Sequence, residues 1–417
     1  MLSAEMVNEI VGRALGSDCA RVLGYRLVAH SEDGAVGFLG DHRNLVVELR
    51  RGDEGPIEQL RFFVKTLPKL SERQLAFVRG AKLFQQEVAF FTKLVPLLDQ
   101  GFSGERFCPR CLLTGEEFIV LEDMRELGYG MLDDARQRGL GDKDHLLAAA
   151  RAQARLHAAS LLAEARLGRP LDEYCPEACV EHLFGEANYK TDRVGLYVDL
   201  IERVARELGL EDGRLATAMR RGFMRMYRRP PGMRRVLCHG DNWANNYLFE
   251  ESSRPFGCVM VDFQLCRYGP GMYDVVQLMY LSGNRGLRER WEREVVEGYR
   301  EEMCGILGRN EPGIEGPSFE ELWREYEDLR LTAMYAYVMY HPILGMCKEM
   351  FAKFEKDPDY FYDEIMFRKD NVNLVELYRR YPGYMSGLAE LAKELVEYCE
   401  KHDIPEQKDK DEGKTSW

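Results

Sequence analysis

No stretch of the 417-residue chain approaches about 18 uncharged apolar residues, so no segment reads as a spanning helix. A segregated basic block is also missing. With 57 Lys and Arg against 70 Asp and Glu, the formal net charge is −13, and polyanions such as nucleic acid or an acidic membrane repel such a chain. There is no disulfide framework: the 11 cysteines are odd in number and scattered through apolar segments, the usage of a reducing compartment. The opening MLSAEMVNEIVGRALG has two acidic residues and no apolar run of signal-peptide length. The expectation is a soluble, cytoplasmic protein with neither nucleic-acid nor membrane partners; nothing in the sequence fixes an oligomeric state. Neither G-x-S-x-G nor HExxH occurs, so the nucleophile elbow and the helical zinc motif have no carrier.

What is present is the balance of a globular protein, 45% hydrophobic and 30% charged, on a chain long enough for two or three packed units. RVLGYRLVAH, AVGFLG, NLVVELR and QLRFFVKTL read as short β-runs broken by Gly, Asp and Pro, the pattern of an antiparallel meander. A helical segment follows at 71–97 and one more strand at 116–123. Beyond Asp123 the character changes. HLLAAARAQARLHAASLLAEA runs without Gly or Pro, and helices are expected at 192–208, 271–283, 287–306, 319–340 and 384–401. Only VLCHGD with NNYLF, and GCVMVDFQ, interrupt them as β-like pieces. The expectation is an α+β chain: a small β-rich lobe over 1–123, a larger helical lobe over 124–405 and a polar tail over 406–417.

The sharpest string, His239-Gly240-Asp241-Asn242-Trp243-Ala244-Asn245-Asn246, sets a carboxylate and an amide five positions apart, and Asp262 ends an apolar strand as Asp-Phe-Gln. Phosphoryl transfer from ATP needs this inventory: a carboxylate beside the acceptor hydroxyl, and hard oxygens for Mg²⁺ on the phosphates. It also needs a cation from the protein. Lys65, within QLRFFVKTL, has a stem long enough to reach the phosphates, and Glu87, 22 residues on, is the acid best placed to hold it.

Lys on a strand, Glu on the next helix, HGDxxxxN on a loop and Asp-Phe-Gln on a strand, in that order, resemble the choline and aminoglycoside kinase-like superfamily. Within it the chain most resembles the insect ecdysteroid kinase-like family, also described as CHK kinase-like. The residues that carry this are GFLGDH at 37–42, FFVKTLP at 62–68, FQQEVAFF at 84–91, CPRC at 108–111, VLEDM at 120–124, ARLHAAS at 154–160, VLCHGDNWANNYLF at 236–249 and VDFQLCRYGPGMYDVVQLMYLS at 261–282. The resemblance implies a two-lobed protein-kinase-like fold. It implies Asp241 as the catalytic aspartate, Asn246 and Asp262 as magnesium ligands, Lys65 on the α- and β-phosphates and Glu87 on the lysine. Adenine would lie against the backbone of Glu122, Asp123 and Met124, under a loop carrying Gly37 and Gly40 but no serine. The implied reaction moves the γ-phosphoryl group of ATP to a small-molecule alcohol, with ecdysteroids as the best-known acceptors. A silent ligand-binding member and a kinase for choline-like or xenobiotic alcohols are the alternatives.

Other residues read as structural. Asp274 is expected to cap a helix or brace the HGD loop, and His157 to be a satisfied core histidine. Tyr335, Tyr337 and Tyr340 are read as core before pocket, and CPRC at 108–111 as buried thiols before a zinc site.

Overall fold

The computed structural model describes residues 2–16, 20–30, 40–52, 55–69, 71–132, 139–228, 232–366 and 368–406. Ser3 accepts the Met6 N–H and so caps helix α1 (Ala4–Leu15), whose Val7, Ile10 and Val11 are buried at helical spacing. They pack on alternate residues of a five-stranded antiparallel sheet, Leu45, Val47 and Leu49 of β2 (Asp41–Arg51) with Phe62 and Val64 of β3 (Ile57–Thr66). The strand order is β1-β2-β3-β5-β4, with β1 (Ala20–Ala29), β4 (Cys111–Thr114) and β5 (Phe118–Glu122) completing it.

This is the expected meander, with two differences. The AVGFLG run lies outside the described residues except for Gly40. The short β4 was not expected, because four residues, CLLT, are too few to display an alternation. β3 is central in the sheet, its Lys65 opposite His42 of β2 on one side and Ile119 of β5 on the other. Lys65 therefore sits in the middle strand of the sheet.

Helices α2 (Glu72–Gly80) and α3 (Leu83–Ala89) follow β3, and α3 buries Leu83, Phe84, Gln86 and Glu87. Beyond Leu127 the chain is mainly helical: α4 (Lys143–Leu167), α5 (Arg193–Glu207), α6 (Leu215–Tyr227), α7 (Gly271–Ser282), α8 (Arg285–Asn310), α9 (Phe319–Leu344) and α10 (Pro382–Lys401). Each expected helix is present, within a few residues at its ends. Two short antiparallel pairs interrupt them, β6 (Arg235–Cys238) with β9 (Arg267–Pro270) and, nested between these in the chain, the hairpin of β7 (Tyr247–Glu250) and β8 (Gly257–Met260). The two-lobed α+β expectation therefore holds, a small sheet followed by a larger helical part. Among the described residues no helix is long and apolar enough to cross a membrane.

Helix α7 is buried along its whole length, and the close approach of α6 to α9 needs a glycine: a Cβ on Gly222 of α6 would lie 2.4 Å from the Leu331 carbonyl oxygen of α9. Gly222→Val should therefore cost about 1–3 kcal/mol, the scale of overpacking. Gly80→Ala, where a Cβ meets nothing within 4 Å, should cost nothing. Urea midpoints at constant m-value check the pair; equal midpoints would contradict the close α6–α9 approach.

Candidate active site

Strand β6 delivers His239, Gly240 and Asp241 to a turn that only glycine fits at its centre. Gly240 has φ +82°, and a Cβ there would lie 2.2 Å from the Leu265 carbonyl oxygen. The turn is held from beneath by Asp274, fully buried in the first turn of α7. Its carboxylate accepts from the backbone N–H of His239 (2.6 Å) and Gly240 (3.1 Å) and from Asn242 Nδ2 (2.8 Å), while His157 Nε2 lies 3.2 Å away. Burial pushes the Asp274 carboxyl up, but the His157 hydrogen bond and charge, with His239 and Arg267, outweigh it and hold the group below the usual carboxylate range. Asp274 thus braces the loop, and His157, fully buried between Asp274 and the Tyr299 hydroxyl at 2.8 Å, is the satisfied core histidine that was expected. With Cys238 these two form the one His/Cys/Asp/Glu cluster of metal-site dimensions among the described residues.

Asn242 extends the brace: its amide donates to Gln277 Oε1 at 2.8 Å, and its oxygen accepts from Gln153 and Tyr247 at 2.9 and 2.7 Å. The loop is consequently rigid where Asp241 leaves it. Asn246 Nδ2 donates to the Asp241 carbonyl (2.8 Å) and to its Oδ2 (2.9 Å), and the Tyr340 hydroxyl donates to Oδ1 at 2.9 Å. Burial, then the nearby Asp262 charge, push the Asp241 carboxyl up to about 7, against the pull of those two hydrogen bonds.

Lys65 crosses from the sheet toward this loop. Its Nζ lies 2.5 Å from Glu87 Oε2 and 2.7 Å from Asp262 Oδ1, with only 4% of the residue exposed. Burial opposes the ammonium charge, but Asp262 and Glu87 together outweigh it and raise the lysine above its ordinary range. Glu87 Oε1 also accepts the Phe263 N–H at 3.3 Å, so one carboxylate ties α3 to both the lysine and the Asp-Phe-Gln segment. Asp262 itself adopts φ +68°, a left-handed conformation that costs a non-glycine residue about 1–2 kcal/mol and persists where the surroundings over-determine it. Phe263 beside it stacks on Phe90 at 4.0 Å between ring centroids.

Lys65, Glu87, Asp241, Asn246 and Asp262 are thereby brought together from α3, β3 and two loops. Gly40 lies against the lysine, its Cβ position 3.1 Å from Lys65 Cε; Gly37 lies outside the described residues. Glu122 accepts from the Arg110 N–H at 2.6 Å and pairs with Arg106. Asp123 caps the turn at Arg125 and pairs with its guanidinium at 2.6 Å, and Met124 is buried. These three form the strap leaving β5, with side chains occupied and backbone passing the sheet's end.

Two residues near the charges were not anticipated. His42, opposite Lys65 in the strand register, is pushed down to about 4 by burial and then by the lysine charge. Tyr340 was grouped with core tyrosines, and the group divides: Tyr335 packs among Phe184, Tyr197 and Phe223, whereas Tyr340 reaches Asp241. Its signal was chemical type alone, since 99 residues separate the pair.

Replacing Asp274 by alanine leaves two backbone N–H groups and the Asn242 amide without their charged acceptor, and His157 without its partner. The expected loss is at least about 3 kcal/mol, the sum of hydrogen bonds to a charged group. A chemical-denaturation midpoint indistinguishable from wild type would show that the loop does not depend on Asp274.

No curated protein matches the chain. Among solved structures it is similar to the GDP complex of wild-type aminoglycoside 2'-phosphotransferase-IIIa, at 16% identity and TM-score 0.42 over 91% of this chain and 94% of that one. It is also similar to a microcompartment-associated aminopropanol kinase (14% identity, TM-score 0.41, 97% and 100% covered). A Plasmodium vivax ethanolamine kinase is more distant still (11% identity, TM-score 0.38, 81% of each chain covered). The profile of the ecdysteroid kinase-like family matches residues 39–309, well over half of the sequence, and the chain belongs to that family.

Proposed function

We propose that the protein transfers the γ-phosphoryl group of ATP to a hydroxyl of a small apolar alcohol, with an ecdysteroid as acceptor. Residues 1–123 would serve as the nucleotide lobe and 124–405 as the catalytic and acceptor lobe, working in the cytoplasm. The observation that carries this is the double ion pair of Lys65 with Glu87 and Asp262 beside an Asp241–Asn246 pair. A buried ammonium held by two carboxylates at the meeting of sheet and loops is fixed in position and in charge, as phosphate recognition requires.

Asp241 is the base of this reading. A carboxyl raised to about 7 takes a proton near neutral pH, and its two hydrogen bonds fix the direction in which the carboxylate points. The acceptor oxygen attacks the γ-phosphorus, its proton passes to Asp241, the bond to the β–γ bridging oxygen breaks, and ADP leaves with that electron pair. Lys65 answers the charge of the α- and β-phosphates, positioned by Glu87. Adenine lies against the backbone of Glu122, Asp123 and Met124, and Gly40 leaves room beside the lysine stem.

The donor set fits magnesium. Asn246 spends its Nδ2 on Asp241, which leaves its amide oxygen for a cation, and Asp262 engages Lys65 through Oδ1 while Gln264 is 3.4 Å from Oδ2. An amide oxygen and a carboxylate are hard ligands of the kind Mg²⁺ takes alongside phosphate oxygens. When bound, the ion would neutralise charge on those oxygens.

Asp241→Asn keeps the side-chain shape and removes the base. Turnover, read as acceptor-dependent ADP release, should fall on the order of 10²-fold or more while nucleotide affinity is nearly unchanged. A kcat close to wild type would remove Asp241 from this role. Lys65→Met and Glu87→Gln should be coupled: once the lysine is gone, losing Glu87 should cost little further activity. Full additivity in that cycle would contradict Glu87 acting through Lys65. Ecdysone, choline and simple sugars compared in the same ADP-release assay test the acceptor.

A further inference from the structure

Segment 178–184, which lies between α4 and α5, reaches both halves of the site through two neighbouring residues, Glu181 and His182. His182 serves the nucleotide half. Its Nε2 lies 2.7 Å from Oε1 of Gln86, a residue buried in α3 next to Glu87. Gln86 Nε2 donates to the carbonyl oxygens of Cys266 (2.5 Å), Val180 (3.3 Å) and Ala178 (3.5 Å). Three carbonyls around one nitrogen fix the orientation of the amide, so Oε1 accepts and His182 Nε2 carries the hydrogen. One side chain thereby ties α3 to the segment and to Cys266, four residues after Asp262.

Glu181 serves the half that holds the base. Its carboxylate accepts from Arg267 Nη1 at 3.2 and 3.3 Å, and Oε1 also accepts the backbone N–H of Leu183 (2.8 Å) and Phe184 (2.9 Å). Arg267 is 2% exposed. It lies over the Tyr273 ring at 4.8 Å, and its Nη2 donates at 2.7 Å to the carbonyl oxygen of Gly240, the turn residue before Asp241. A planar guanidinium holds two acceptors at a fixed spacing, here a carboxylate of the segment and a carbonyl of the HGD loop. The segment is itself closed by Asn188, whose Nδ2 donates to the His182 and Leu183 carbonyls, both at 2.8 Å.

We infer that segment 178–184 is a clasp, in which Gln86, Glu181 and Arg267 are positioning residues that hold the Lys65–Glu87 pair and the Asp241 turn as one body. The inference rests on the kinase reading for the roles of Lys65 and Asp241 and adds three residues to it. Each acts through a neighbour. Gln86 acts through Glu87 on Lys65, and Arg267 through Gly240 on Asp241. Glu181 acts on both ends, because its carboxylate also sets the turn that presents His182 to Gln86. A buried polar group that loses its partner bears the whole desolvation cost, so the clasp passes a displacement on instead of absorbing it.

Hydrogen exchange of the nucleotide-free full chain reads this coupling, in wild type and in Glu181→Gln, whose side chain is 28% exposed and keeps its size. Peptides over 84–91 and over 236–246 should both exchange at least about fivefold faster in the variant, with the sheet face at 45–49 unchanged. Gln86→Met should produce the same pair of changes, although its partners are Ala178, Val180, His182 and Cys266 and lie outside 236–246. Calorimetry with magnesium and a non-hydrolysable ATP analogue supplies the functional readout: both variants should bind at least about fivefold more weakly than wild type. Faster exchange in only one of the two peptides, or in neither, would overturn the clasp, and so would faster exchange at 45–49, which reports general loosening. Faster exchange in both with unchanged analogue affinity would overturn the positioning role. Failure of the wild type to bind the analogue would instead sink the kinase reading, while the joint exchange response would still support the clasp.

Discussion

A single buried ammonium group organises the site. Lys65 is the point at which the sheet, helix α3 and the Asp-Phe-Gln segment meet, and neither of its carboxylate partners comes from its own element. A lone charge at 4% exposure would be very costly, so the lysine constrains Glu87 and Asp262 as firmly as they constrain it. The arrangement also leaves charge available. Two carboxylates on one ammonium give a local excess of one negative charge, which a divalent cation entering with phosphate would reverse.

The HGD loop is built on the opposite logic: its stability comes from polar groups that are almost all satisfied. Asp274, Asn242, Gln277, Gln153 and Tyr247 form a buried hydrogen-bonded network beneath Asp241, in which Gln153 Oε1 alone is unpartnered. Such networks rigidify when complete. Asp241 stands at their edge, held by Asn246 and Tyr340, so a fixed loop presents a carboxylate of raised basicity. The left-handed backbone at Asp262 and Gly240 belongs to the same design, two adjacent segments kept in conformations that ordinary residues resist.

Much of this arrangement was legible because its residues sit in short motifs that follow one another in a recognisable order. Asp241 with Asn246, Asp262, Lys65 and Glu87 could be picked out by motif and by the kind of segment that carries them, and NLVVELR read as a β-run. What escaped was non-local or too short. Tyr340 comes from a helix 99 residues downstream and carries no local signal distinguishing it from Tyr335, which is core. His42 meets Lys65 only through strand register, which a sequence does not display. Strand β9, RYGP, carries a Gly and a Pro that read as a turn, and β4, CLLT, shows no alternation that separates strand from loop.

The assignment of the Lys65–Asp262 contact as the phosphate and metal site is tested most directly by nucleotide binding measured with and without magnesium, in wild type and in Asp262→Ala. If Asp262 holds the cation, the variant loses at least about tenfold in affinity for Mg·ATP, or ~1.4 kcal/mol, and far less for metal-free ATP. Equal losses with and without magnesium would show that Asp262 serves only to hold Lys65, and the site would need another metal ligand.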